Sequence, residues 1–412
     1  MNAPVSPQTR RRRRLRSGQC LSAWAVIAAL MLSAVMAGCG VRLETAPPTE
    51  PIPTAFEQVR RTAVADALRV IDLATAATAT PGINSGTRAQ LEEVIAFSSA
   101  HVDALGGVYE SGIVPDDDEL DLFPDPPPIE ADPAKVVSAL SDAASRNRAA
   151  ADSISSGELA RLLASIGASQ LTSATILAET AAIAPPTPIA PVVPVVVDYE
   201  PIDGYDNNAQ DPESPDAEAS TDEPETNNDS PEIAVIVPGE AEAVAPTGLT
   251  VADFNALILG DDAARFALEV RAAIAVGEHR ARLLEQSAVH SARALAWAHL
   301  AGVIGTQQDP REGVYSVPRE HFNLTLSGDA LSEARAEFDA ALVRDLQSGL
   351  AINFASLVGT TAPATRTVLI ELLAEADLIR IQWGGVPVAF PGLPELTEPA
   401  ESAETADSPA DS

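Results

Sequence analysis

The chain has 412 residues, a mass of 42.8 kDa and 26 Lys+Arg against 59 Asp+Glu, which leaves a formal charge of -33. A duplex binder needs a basic surface that displaces counterions from phosphates, so this balance argues against a nucleic-acid partner. Hydrophobic residues at 46% are enough to build folded units, while 33 prolines and 4% aromatics set part of the chain aside as unfolded.

The first element in chain order is a targeting segment. Arg10 to Arg14 and Arg16 form a positive start, an apolar stretch runs from Leu21 to Met36, and Ala37-Gly38-Cys39 closes it. Small residues before a cysteine after a short apolar core are the pattern of a bacterial lipoprotein signal, with 1–38 removed and Cys39 lipidated. An uncleaved anchor and a twin-arginine export signal compete for the same segment, and all three place the remainder outside the cytoplasm. Cleavage would remove six arginines and no acid, taking the charge from -33 to -39. Because Cys20 and Cys39 are the only cysteines, the mature chain keeps no free thiol for a disulfide, a nucleophile or a zinc site.

A polar tether at 39–53 leads to a first unit at 54–184, where helices are expected at 55–77, 87–109, 133–153 and 156–183. Phe56, Val59, Ala63, Ala67, Val70 and Leu73 recur at three- and four-residue steps and form an apolar stripe. The acidic run at 115–128 lacks the spacing and central glycine of a calcium loop, so it is read as a solvated loop. From 185 to 248 the composition turns Pro-rich and then acidic, with 15 acids and no Lys or Arg between 198 and 242. Such a stretch buries too little apolar area to offset its chain entropy, and a disordered linker is expected. The tail at 397–412 reads the same way.

The second unit, 249–396, carries helical patterns at 251–276, 278–304, 328–358 and 363–383. Phe338, Ala341, Leu342, Asp345, Gly349 and Ile352 are assigned to one face of the third of these. The periodicity directs three polar residues inward, Glu269, His290 and Asp345, as a polar core or binding group. A long loop at 305–327 supplies a candidate binding surface of Arg311, Tyr315, Arg319 and His321. Four long helices per unit favour an all-α fold of two four-helix bundles. The runs Ser98 to Leu105 and Ser287 to Leu295 sit on the second helix of each unit and point to a duplication.

Glu269, His290-x-x-Arg293, Tyr315-Ser316-Val317-Pro318, Trp383 and Phe390-Pro391-Gly392-Leu393 give the second unit a resemblance to the ferritin-like domain family of unknown function found in actinobacterial secreted proteins and lipoproteins. The first unit resembles it more distantly, through Ala100-His101 and Ala104 to Val108. The resemblance implies ferritin-like four-helix bundles and supplies no reaction. A di-iron site in such a bundle needs Glu three residues before His, but the residues at that position are Ser98, Val276, Ser287, Ala296 and Pro318. No metal ligand set or cofactor is therefore assigned. Phosphate-loop, nucleophile-elbow and zinc-protease motifs are also absent. The reading is a membrane lipoprotein anchored through Cys39 on the extracytoplasmic face, a non-enzymatic binding or scaffolding module for an envelope protein or small ligand. Its competitor is a divergent ferritin-like metal or redox protein using Glu269, His290 and Asp345.

Overall fold

The structure, a computed structural model, describes residues 50–111, 130–189, 191–194, 245–316 and 326–397. The signal segment with Cys39, the acidic loop at 112–129, linker residues 190 and 195–244, Arg319, His321 and the tail from 398 lie outside the described residues. The chain divides into two compact units, Met1–Pro51 with Ser111–Val114, and Ile52–Glu110 with Pro115–Ser412. The described residues of the first are Glu50, Pro51 and Ser111, which belong to no helix; every helix below belongs to the second.

Every regular element among the described residues is helical. In order these are α1 Ala55–Thr78, α2 Ser85–Ala104, α3 Pro133–Ser153, α4 Gly157–Thr180, α5 Val251–Ala272, α6 Gly277–Leu300, α7 Asp329–Thr360, α8 Thr367–Gln382 and the single turn α9 Pro394–Thr397. Their starts follow from side-chain caps that satisfy otherwise orphaned backbone N–H groups. Thr54 accepts from Glu57 N, Asn84 from Thr87 N, Asp132 from Lys135 N with Pro133 in the first turn, and Ser156 from Leu159 N. Thr250 and Asp253 form a reciprocal capping box on α5.

Several helix ends differ from the sequence expectation by up to five residues, and for two of them the backbone gives the reason. α2 stops at Ala104 instead of 109 because Gly106 and Gly107 take φ of +85° and +76°, which turns the chain out of the helix. α8 begins at Thr367 instead of 363, after Pro363 and after Ala364 at φ +63°.

α1 packs on α2, α3 on α4, α5 on α6 and α7 on α8, so that short turns make four antiparallel hairpins. Within the first half α1 also meets α3 and α2 meets α4; within the second α5 meets α7. The stripe expected on α1 is buried at Ala63, Ala67 and Val70, whereas Phe56 is exposed. One apolar cluster then runs through both halves, from Ala63, Ala144, Leu163 and Ile166 to Leu257, Phe354, Leu369 and Leu373. α4 is its axis, packing on α2, α3, α7 and α8 and burying residues on nearly every side. Leu163, Leu369 and Leu373 are fully buried, and each such side chain contributes about 1.5–3 kcal/mol of transfer free energy. The backbones approach closely enough that a Cβ on Gly157 would lie 1.9 Å from the Gly359 carbonyl oxygen.

Polar bonds stitch the same seam. Arg366 donates to the carbonyls of Ala151 and Ile154, at 3.1 and 2.6 Å, and to Thr361 O, at 2.8 Å. Thr172 Oγ1 donates to Asp377 at 2.7 Å, and Arg148 pairs with Glu371. The segment 386–393 lies across α4, where Ser165 donates to Pro391 O at 2.8 Å and Ser169 to Val388 O at 3.1 Å. The start of the expected linker is part of the fold: Ile189 and Val192 pack on the shared cluster and Pro194 is buried.

Candidate functional site

Asp261 and Asp262 are adjacent on α5, and the 100° between neighbouring helical residues sends them to different surroundings. Asp261 faces the core, where its Oδ1 accepts from His290 Nδ1 at 2.8 Å. On the other side of the ring Gln347 Nε2 donates to His290 Nε2 at 3.2 Å, which assigns the ring proton to Nδ1. His290 and Asp261 are completely buried and Gln347 is 1% exposed, so three helices are tied by one hydrogen-bonded chain. The expected inward position of His290 is therefore observed. A ring enclosed on both nitrogens fixes helix register and has no face left for a substrate.

Glu269 and Asp345 do not join it. The Glu269 side chain is 48% exposed and pairs with Arg265 at 2.8 Å, because α5 turns Asp261, Leu268 and Arg271 inward instead. Asp345 is exposed too, as are Gly349 and Ile352 on the same face. The inward face of α7 is Asp339, Val343, Gln347, Leu350 and Phe354, rotated away from the expected one. Two of its members are polar, and reading for apolar periodicity alone misplaces such a face. The three residues expected to converge are thus one core histidine and two solvated acids, and no group of three or more metal-ligating side chains occurs among the described residues.

Asp262 faces the other way, toward the loop after α6. Tyr315 Oη donates to Asp262 Oδ2 at 2.7 Å, Glu312 N donates to the same oxygen at 3.2 Å, and Arg265 Nε reaches Oδ1 at 2.8 Å. The Tyr315 ring also packs on Phe266, with centroids 5.7 Å apart. Burial and the neighbouring Asp262 carboxylate push the Tyr315 hydroxyl up to about 12, so it stays a donor. Arg311 is held by Asp309 at 2.5 Å, and the guanidinium keeps that carboxyl below its usual range.

Of the loop residues, Arg311 is paired with Asp309 and Tyr315 with Asp262; Arg319 and His321 lie outside the described residues. Between the loop, α5 and α6 an open cleft of about 540 Å³ is lined by Asp262, Arg265, Ser291, Thr306, Asp309 and Arg311. Asp262 is paired with Arg265 and Asp309 with Arg311, while Glu312, also in the lining, is exposed. It is suited to a polar ligand that exchanges hydrogen bonds with these ion pairs.

Further functional-looking residues escape a sequence reading. Arg293 and Glu375 are buried and paired at 2.5 Å; Arg293 Nε donates to Val192 O at 2.7 Å and Val192 N donates to Glu375 Oε2 at 2.9 Å. Buried Arg271 and Asp339 form a second chain with the partly exposed His279. The available signal is the spacing of eight between Asp339 and Gln347, which places two polar residues on one face of a long helix.

Comparison with family models, with curated proteins and with solved structures finds no match.

Proposed function

We propose that this chain is a lipid-anchored, extracytoplasmic binding or scaffolding protein whose halves are each a ferritin-like four-helix bundle. The bundle reading is supported by the pairing of α1 with α2, α3 with α4, α5 with α6 and α7 with α8, and by the long connection between the second and third helix of each half. His101 and His290, both buried on the second helix of their halves with a buried serine three residues before, support a duplication. The anchor rests on the Ala37-Gly38-Cys39 pattern. No helix among the described residues is long and apolar enough to cross a membrane.

The observation that carries the binding function is the polar cleft built by Asp262, Arg265, Thr306 and Arg311. Its ion pairs are formed before any ligand arrives, which lowers the ordering cost of binding. A photoreactive residue placed at Ser291, in the cleft, is expected to give a discrete adduct in intact cells, whereas one at exposed Ser99 gives none. Palmitate labelling of the same cells is expected to disappear in Cys39→Ala. Adducts indistinguishable between Ser291 and Ser99 contradict the binding cleft, and labelling that persists in Cys39→Ala contradicts the anchor.

A further inference from the structure

A second cleft lies at the opposite end of α5 from the Thr250 cap, between the α5–α6 turn and the first turns of α7. Its volume is about 360 Å³, within the range of small-molecule sites. Ile274, Val276 and Ala336 give it an apolar wall, and His279, Arg335 and Asp339 give it a polar one.

The polar wall is organised. Asp339 is 1% exposed; its Oδ1 accepts from Arg271 Nε and its Oδ2 faces His279 Nε2 at 2.8 Å. The carboxylate is thereby matched by a buried guanidinium and presents little net charge to the cleft. With its Nε2–H held by Asp339, the His279 ring leaves Nδ1 without a protein hydrogen bond among the described residues. The ring is fixed edge-on against Trp383 at 5.8 Å, yet its side chain remains 27% exposed. Arg335 stands on the facing helix, and its Nε is shielded from solvent with no acceptor among the described residues. A shielded donor that lacks an acceptor is costly, so the site is completed by a group that brings one. Glu333 is the opposing acid of this lining; it is exposed, where solvent screens it.

We propose that this cleft binds a small organic carboxylate with a short apolar tail, the carboxylate accepting from Arg335 Nε and the tail lying on Ile274, Val276 and Ala336. The site is separate from the Asp262 cleft and stands or falls independently of the lipid anchor. It is tested by calorimetric titration of the full chain with butyrate, butanol and butylamine, repeated on Arg335→Gln. Butyrate is expected to bind saturably and the other two not. Arg335→Gln is expected to weaken butyrate by about tenfold or more, as loss of a charge-assisted hydrogen bond does. Absence of saturable butyrate binding, equal affinity in Arg335→Gln, or butylamine binding as tightly as butyrate would overturn the proposal.

Discussion

His101 is a single side chain whose surroundings determine how the protein responds to acid. It is 1% exposed, its Nε2–H donates to Ala389 O at 2.8 Å, and its ring meets Phe390 edge-on at 5.3 Å. Burial, opposed only in part by the Ala389 carbonyl, lowers its pKa to about 4, and Nδ1 has no acceptor waiting for a second proton. In the unfolded chain the ring titrates at its ordinary value near 6.5. The unfolded state therefore takes up the proton first, and stability present above about pH 6.5 is lost as pH falls through 4, by an amount on the order of 3 kcal/mol. Asp377 and Glu371 act in the opposite direction, since burial raises both and the folded state protonates them early. Urea denaturation of the wild type and His101→Gln across this pH range isolates the histidine: the difference between them is expected to shrink as pH falls. A difference independent of pH contradicts the assignment.

At the scale of elements, the Arg293–Glu375 pair joins α6 to α8 and takes both backbone groups of Val192. Removing one partner strands the other charge out of water, so Arg293→Ala is expected to cost about 3–5 kcal/mol. Replacing both, Arg293→Met with Glu375→Leu, is expected to cost less than either single change, as measured by urea denaturation in a double-mutant cycle. Additive losses would mean that the two residues act separately.

Helix existence is legible in the sequence because length and periodicity are local: the helices expected from 55, 133 and 156 begin at Ala55, Pro133 and Gly157. Helix faces are less legible. The inward stripe of α7 contains Asp339 and Gln347, whose partners come from α5 and α6, and nothing within α7 announces them. Asp345 is misplaced for that reason and Glu269 because α5 likewise buries polar Asp261 and Arg271, while His290 lies inward with Ala294 and Trp297 on its face.

For the whole molecule, the sequence divides the chain by composition into two folded stretches and an acidic one between them, and composition says nothing about what the folded stretches do to each other. That information lies in pairs far apart in the chain, Arg366 with Ala151 and Ile154, Asp377 with Thr172, and His101 with Ala389. Ser165, Ala168 and Gly157 read as small helical residues until their neighbours are present to explain their size. These contacts carry the account's central claim, that 54–184 and 249–396 share one core and the acidic stretch between them is not what holds them together. The direct measurement is gel filtration after cleavage of the full chain at a protease site inserted within 195–244. With one shared core the two fragments elute together as one helical particle; elution as two separate, independently helical fragments would contradict it.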